Sequence, residues 1–414
     1  MKRVVVTGYG AVTALGETAG DSWNSILNKR LGYRMVEEPG PNIRARCFAF
    51  LPNRHERYKW IPKGILRCLA PFARNAVVAA RESLVCAFGD PAAMAEHYAP
   101  HERAIIIGTG WGGVDASNRI HANYCDTGLG DALGSLMTMP SAATGACSLL
   151  WQLRGYQNTI NAACATGTIA IGDAFELIRS GRARVALAGG SESLKDSTNV
   201  WNIDVLSALS KETSDLRRAC CPFDRRRSGF VLAEGAAVLC LEELEGAVRR
   251  GAKILGEVTG YGNFSDAFDF TAPAEDMAAR ILSIEVALKQ AGRKPDDVQY
   301  INAHGTSTPL NDLNETNAIK AALGTAAFGI PISSTKSYSG HLISAAGSFE
   351  TIVCLQAMES RIIPATANLL EPDPSCDLDY VPNEHRPGQD LDVALNLSFG
   401  FGGANAALVL ERPR

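Results

Sequence analysis

Apolar positions along the chain follow two patterns, short β-branched runs and longer segments with one apolar face. Runs such as RVVVTG, RAIIIG and RVALAGG predict buried strands, because their Val and Ile residues are continuous. Segments between them, such as DSWNSILNKR and GTIAIGDAFELIRS, place apolar residues at helical spacing. This alternation of strands and helices predicts an α/β fold.

One pentapeptide occurs twice, which indicates an internal repeat. The letters VTGYG stand at residues 6–10 and again at 258–262, each time at the end of a Val-containing strand. The charged segment LEELEGAVRRGAK lies just before the second copy. We therefore predict a duplication of two α/β halves, residues 1–250 and 251–414. The irregular segment 32–63 is expected to be an excursion on the surface.

Composition narrows the class of protein. The chain has 414 residues with 40 basic and 44 acidic side chains, and its net charge of −4 gives no reason to expect nucleic acid. The apolar run Val4 to Val6 is too short for a signal peptide, and no run is long enough to span a membrane. Eleven cysteines without a C-x-x-C pair suggest free thiols in a reducing cytoplasm and no metal site.

A glycine motif in RAIIIGTGWGG matches the dinucleotide fingerprint formally. Gly108, Gly110 and Gly113 follow a predicted strand. A dinucleotide fold also needs a second strand closing on an acidic residue about 20 positions further on. The segment VDASNRIHANYCDTGLGDALG contains no such strand, so this interpretation is disfavoured.

Three segments carry candidate chemistry. Cys164 in NAACATG lies where an extended segment turns into a helix, whose N-terminus favours a thiolate. His304 follows a probable strand in VQYINAHGTSTPLND, and His341 precedes a long apolar helix in STKSYSGHLISAAG. The segment ALNLSFGFGGANAALVL predicts a strand, a glycine-rich turn and a strand. Such a turn can direct backbone N–H groups at a ligand, as an oxyanion hole requires.

Together these segments resemble the β-ketoacyl-acyl-carrier-protein synthases, most closely the type II enzymes. The motifs ACATG, AHGTSTPLND, STKSYSGHL and GFGGAN stand in the order of that family, as does CPFDRRRSGFVLAEGAA at residues 221–237. The resemblance covers residues 1–411. It implies the thiolase fold, with two similar halves in five layers α-β-α-β-α. It also implies an acyltransferase that condenses a cysteine-bound acyl chain with malonyl-carrier protein and releases CO₂.

The resemblance implies a role for each matching residue. Cys164 would carry the acyl chain, and His304 and His341 would bind the enolate oxygen. Lys336 and Glu315 would support the site, and the N–H groups of Cys164 and Phe401 would form an oxyanion hole, with Phe401 also acting as a gate. Thr306 and Thr308 would bind phosphopantetheine. Trp111 and Ile203 would line an acyl pocket, and Lys63 and Arg67 would dock the carrier protein.

Several positions depart from the family pattern. Trp111 stands where a smaller aliphatic residue is usual, which would favour short or unusual acyl chains. Ser207 replaces a basic docking residue, and Cys221 and Ser228 stand where Arg and Asp are common. These changes suggest a specialised type II polyketide or polyene pathway as the alternative to fatty-acid elongation.

Two further interpretations are weaker. An inactive chain-length-factor subunit would lack the nucleophile, which is present as Cys164. A thiolase would have a second cysteine where this chain has SFGFGG. The resemblance implies a dimer, either of identical chains or with a related subunit. It requires no free cofactor, because phosphopantetheine arrives on the acyl carrier protein.

Overall fold

The computed structural model describes residues 1–413, in which strands and helices alternate as the sequence predicts. The strands are β1 (Val4–Val12), β2 (Arg34–Met35), β3 (Cys47–Ala49), β4 (Arg103–Gly108), β5 (Gln157–Asn158), β6 (Val185–Glu192), β7 (Leu232–Ala233), β8 (Gly235–Glu243), β9 (Gly256–Ser265), β10 (Tyr300–Asn302), β11 (Ile332–Ser333), β12 (Ile362–Ile363), β13 (Arg386–Pro387), β14 (Val393–Gly400) and β15 (Ala404–Glu411). The α-helices are α1 (Ala19–Leu27), α2 (Lys63–Leu66), α3 (Pro71–Phe88), α4 (Met94–His97), α5 (Val114–Thr127), α6 (Gly134–Thr138), α7 (Ala142–Trp151), α8 (Thr166–Arg179), α9 (Ser197–Asp204), α10 (Leu216–Ala219), α11 (Leu244–Arg249), α12 (Ala278–Ala291), α13 (Pro309–Leu323), α14 (Lys336–Ser339) and α15 (Ala346–Ser360).

Ten strands hydrogen-bond side by side in the order β11-β10-β14-β15-β9-β1-β8-β6-β4-β5. Each half contributes five of these strands. When the five are numbered in chain order, their positions from the centre of the sheet outward are first, fifth, fourth, second and third in both halves. The directions repeat as well, since β4–β5 and β4–β6 are parallel like β10–β11 and β10–β14. This repetition supports the proposed duplication, while the boundary near residue 250 stays a prediction.

The helices form three layers around these strands. Helices α8 and α15 pack against each other in the middle, α8 on β6 and β4 and α15 on β14. Helix α3 covers β1 and β8 on one outside, and α12 covers β9 and β15 on the other. The result is the five-layer α-β-α-β-α arrangement of the thiolase fold, as predicted. The central core contains buried Phe175, Phe349 and Ile352.

The repeated pentapeptide lies in β1 and β9, the equivalent first strands of the two halves. A Cβ atom at Gly10 would lie 2.3 Å from the carbonyl oxygen of Ala79 in α3. At Gly262 it would lie 2.1 Å from the carbonyl oxygen of Ser283 in α12. The glycines of VTGYG therefore allow an outer helix to pack directly on the strand in each half.

The segment 32–63 is only partly a surface excursion. In the segment 32–63, β3 pairs with β2 and β7 and is buried, so the expectation of a surface excursion is wrong for Cys47–Ala49. Within residues 1–413, every helix is too short or too polar to cross a bilayer.

Candidate active site

Cys164 lies in a 3₁₀ turn, Ala163–Ala165, immediately before α8 begins at Thr166. The turn is tight, because Ala163 has a φ of 46°, a left-handed conformation that costs a non-glycine residue energy. The hydroxyl of Thr166 accepts the N–H of Ala162 at 2.8 Å and holds the turn closed. The side chain of Cys164 is buried, with 8% exposure.

The thiol is not ionised in the resting chain. Burial raises the pKa of Cys164 to about 11, although the charge of Lys336 and the N–H of Phe401, which donates to the sulfur, both act to lower it. The expectation of a thiolate favoured by the helix N-terminus is therefore wrong for the unliganded site, because desolvation is the larger effect. Acyl transfer to this sulfur needs a base.

Two buried imidazoles lie next to the sulfur of Cys164. The sulfur of Cys164, one ring nitrogen of His304 and one ring nitrogen of His341 all lie within 4.8 Å of one another. The two rings are 5.5 Å apart between centroids and nearly perpendicular, at 82°. Burial, with the nearby charge of Lys336, lowers the pKa of both imidazoles well below the usual value, so both are neutral at pH 7.

The protonation of His341 is fixed by its own backbone. The N–H of Ile343 donates to Nδ1 of His341 at 3.2 Å, so the proton of the neutral ring is on Nε2. This Nε2 is buried and has no partner in residues 1–413, and neither does Nδ1 of His304. Buried polar atoms without partners are costly, and a substrate oxygen would satisfy the Nε2–H of His341.

Glu315 and Lys336 both position His304, but they do not pair with each other. The carboxylate of Glu315 accepts the backbone N–H groups of His304 and Gly305 at 2.7 and 2.8 Å. Nζ of Lys336 donates to the carbonyl oxygen of His304 at 2.6 Å and to Glu350 at 2.5 Å. The ion-pair partner of Lys336 is therefore Glu350, and the supporting role implied for Lys336 and Glu315 stays a prediction. Sequence reasoning missed Glu350, although an acidic residue inside the apolar run SFETIVCLQAM was a signal.

The glycine-rich turn between β14 and β15 faces the sulfur, and the oxyanion hole implied there stays a prediction. A Cβ atom at Gly400 would lie 3.2 Å from the backbone nitrogen of Cys164, so the turn approaches that backbone closely. The half-buried Phe401 packs on an apolar cluster that contains Ile203 and Phe230. The N–H groups of Cys164 and Phe401 are therefore near one another beside the sulfur.

A cavity of about 360 Å³ connects these groups to the surface. Thr306 and Thr308 line it, and their hydroxyls hydrogen-bond to each other at 2.9 Å. Thr308 also caps α13, so it has a structural role in addition to the implied binding role. Ser207 and Ser228, which depart from the family pattern, line the same cavity. So does Arg280, which the sequence analysis did not identify.

The other predicted residues lie elsewhere. The lining of this cavity includes neither Trp111, whose side chain is 40% exposed, nor the buried Ile203. Their role in an acyl pocket stays a prediction. Lys63 is the first residue of α2 and Arg67 follows its last. Both are exposed, and neither forms an ion pair with a residue in the described part of the chain. Both are free to meet an acidic partner.

Thiol and imidazole groups at this spacing can also bind a metal ion. The profile of the β-ketoacyl synthase N-terminal domain matches residues 1–247, and that of the C-terminal domain matches residues 255–370. The chain belongs to the β-ketoacyl synthase family.

Individual relatives support the same family. A protein of Synechocystis named 3-oxoacyl-[acyl-carrier-protein] synthase 2 is 38% identical over 413 residues, which is 99% of this chain and 98% of the relative. One solved structure is a type II PKS acyl-carrier protein in complex with its ketosynthase, bound to the hexaketide. A chain of that complex superposes on this chain with a TM-score of 0.91 and 32% identity, and both chains are covered completely. The ishigamide ketosynthase/chain length factor gives 0.90 and 29%, again with complete coverage. The predicted β-ketoacyl synthase family, thiolase fold and acyltransferase class are confirmed.

Proposed function

We propose that this chain forms carbon–carbon bonds by decarboxylating condensation of a Cys164-bound acyl chain with a malonyl thioester, as a 3-oxoacyl-[acyl-carrier-protein] synthase. The observation that carries the proposal is the meeting of one thiol and two neutral imidazoles within 4.8 Å in a single buried cavity. A nucleophile and two hydrogen-bonding groups at one point are what the two half-reactions need.

In the first half-reaction, the sulfur of Cys164 attacks an acyl thioester. Because the thiol is protonated, a neutral imidazole takes its proton. His304 is the available base, since Nδ1 of His341 already accepts a backbone N–H. The N–H groups of Cys164 and Phe401 stabilise the tetrahedral oxyanion. The leaving thiolate of the carrier then takes the proton, and the acyl group stays on Cys164.

In the second half-reaction, a malonyl thioester occupies the cavity. Nε2–H of His341 and an N–H of His304 hydrogen-bond to its carbonyl oxygen. The bond to the carboxylate breaks, CO₂ leaves, and the electron pair forms an enolate on that oxygen. The enolate carbon attacks the acyl carbon, the Cys164 sulfur leaves as thiolate and takes a proton from solvent, and the 3-oxoacyl chain stays on the carrier.

The partners follow from this chemistry. Acyl and malonyl groups would arrive on the phosphopantetheine of an acyl carrier protein, with Thr306 and Thr308 along the arm and Lys63 and Arg67 at the docking surface. We propose a dimer, either of identical chains or with a related subunit. The chain requires no other organic cofactor or metal for these steps.

A type II polyketide or polyene pathway is the second candidate for the source of the substrates. Ser207, where a basic residue is usual, lies at the cavity. One solved structure of similar fold contains a type II PKS ketosynthase, and another is a ketosynthase/chain length factor. Trp111 would shorten the accepted acyl chain from the side of a partner subunit. Turnover measured across acyl lengths tests this, and efficient use of tetradecanoyl or hexadecanoyl primers would contradict it.

Acylation of Cys164 tests the first half-reaction directly. The chain is incubated with an acyl-carrier protein, and its intact mass and peptides are measured. We expect one acyl group on Cys164 in the native chain and none in Cys164→Ala. An acyl group on another cysteine, or none at all with a panel of acyl lengths, would contradict the proposed function.

A further inference from the structure

Arg280 is a buried cation on the wall of the active-site cavity, and it forms no ion pair within residues 1–413. It is the third residue of α12 and is 5% exposed. Its Nε and Nη1 atoms are buried and make no hydrogen bond within residues 1–413. A guanidinium has five donor hydrogens, so most of its hydrogen-bonding capacity is unused.

The guanidinium lies at the reacting end of the cavity. Its Cζ atom is 4.3 Å from the ring centroid of Phe399, as in a cation–π contact. The ring of Phe399 in turn lies 5.9 Å from that of His304. Arg280 is close enough to His304 to contribute to its lowered pKa. An anion bound by Arg280 would therefore lie near His304, one of the two imidazoles proposed to bind the enolate oxygen.

The carboxylates around Arg280 do not neutralise it by contact. Glu315, Asp266 and Asp312 act on it through space, but none forms an ion pair with it among the described residues. Burial lowers the pKa of Arg280 to about 10, which leaves it charged at neutral pH. A buried charge of this kind is stabilised by an anion of matching geometry, and a carboxylate fits a guanidinium with two parallel hydrogen bonds.

We propose that Arg280 binds the free carboxylate of the malonyl unit before decarboxylation and so selects a carboxylated thioester for the second half-reaction. The inference rests on the proposed function. In malonyl thioesters the carboxylate is one carbon from the carbonyl whose oxygen meets His304 and His341. The phosphate of the pantetheine arm is at the opposite end, away from these rings. When the carboxylate leaves as neutral CO₂, the contact with Arg280 is lost, so the residue acts on binding.

The test uses two stable pantetheine amides in which nitrogen replaces the thioester sulfur, malonyl-pantetheine amide and its methyl ester. Their dissociation constants are measured by protection of Cys164 from iodoacetamide in the full chain. We expect the malonyl amide to bind the native chain about 30-fold more tightly than the ester. In Arg280→Met this preference disappears because the malonyl amide weakens while the ester is unchanged, and Arg280→Lys keeps part of it.

A matched control and a second readout keep the outcomes separate. Lys289→Met removes a cation from the exposed side of the same helix and should leave both constants unchanged. In turnover, Arg280→Met should raise KM for malonyl-carrier protein without a proportional fall in kcat. Equal weakening of both amides, or no change in either, would overturn the proposal. So would a preference that appears only when the amides carry the 4′-phosphate.

These results are distinguishable from failure of the proposed function. Acylation of Cys164 by an acyl-carrier protein involves no malonyl carboxylate and is measured in the native chain. Normal acylation with no carboxylate preference contradicts the role of Arg280 alone. Absence of acylation in the native chain contradicts the proposed function itself. Thermal unfolding shows that the variant is folded, and its midpoint should be at or above the native one, because an unpaired buried charge has been removed.

Discussion

The sulfur of Cys164 shows how burial changes the behaviour of a single residue in this site. The thiol is protonated because its surroundings are dry, in spite of a nearby cation and a backbone donor. Its thiolate fraction should therefore increase about tenfold for each pH unit up to pH 10. Iodoacetamide labelling of the Cys164 peptide, followed by mass spectrometry, measures this, and a rate that levels off near pH 8.5 would contradict the account.

The buried ion pair of Lys336 and Glu350 leads to a second prediction at this scale. Both side chains are at most 2% exposed, so removing one partner leaves the other charge buried and unpaired. We expect Glu350→Ala to lower the free energy of unfolding by about 3–5 kcal/mol. Asp377→Ala breaks the more exposed pair with Lys320 and should cost less than about 1 kcal/mol. Similar losses in denaturant unfolding of the two variants would contradict the role of burial.

Among the elements, the contact between β9 and α12 depends on a glycine. A methyl group at Gly262 would meet the carbonyl oxygen of Ser283 at 2.1 Å, so the helix must move away from the strand. Gly262→Ala should therefore destabilise the chain by about 1–3 kcal/mol. Gly64→Ala is the matched control, because a Cβ atom there has open space, and it should be neutral within about 0.5 kcal/mol. Thermal unfolding of both variants measures the difference.

The elements also show what the sequence could and could not predict. Continuous apolar runs were sufficient to predict strands such as β4 and β6, and the repeated VTGYG indicated two equivalent halves. Glu350 and Arg280 were not predicted, because their importance comes from burial against residues distant in the chain. The protonation of Cys164 was predicted wrongly for the same reason, since a helix N-terminus is visible in sequence but desolvation is not.

At the scale of the whole molecule, exposed apolar side chains are concentrated between residues 111 and 156. Leu149 is 66% exposed on α7, and Tyr156 precedes the edge strand β5. Such a surface is typical of a subunit interface. We expect the native chain to have twice the mass of one chain by light scattering, or to require a related subunit for its solubility. Leu149→Glu should weaken the association, whereas Val248→Glu, an exposed apolar position on α11, should leave it unchanged. A native chain that is monomeric and soluble alone would contradict this prediction.

The account as a whole depends on Cys164, His304 and His341 acting together in one condensation. The most direct measurement supplies an acyl-carrier protein and malonyl-carrier protein labelled with ¹³C in the free carboxyl group, and follows products by mass spectrometry. We predict a 3-oxoacyl chain two carbons longer than the primer, without label, together with labelled CO₂, and no elongated product from Cys164→Ala supplied with the same substrates. An elongated product that retains the label, or elongation by Cys164→Ala, would contradict the account.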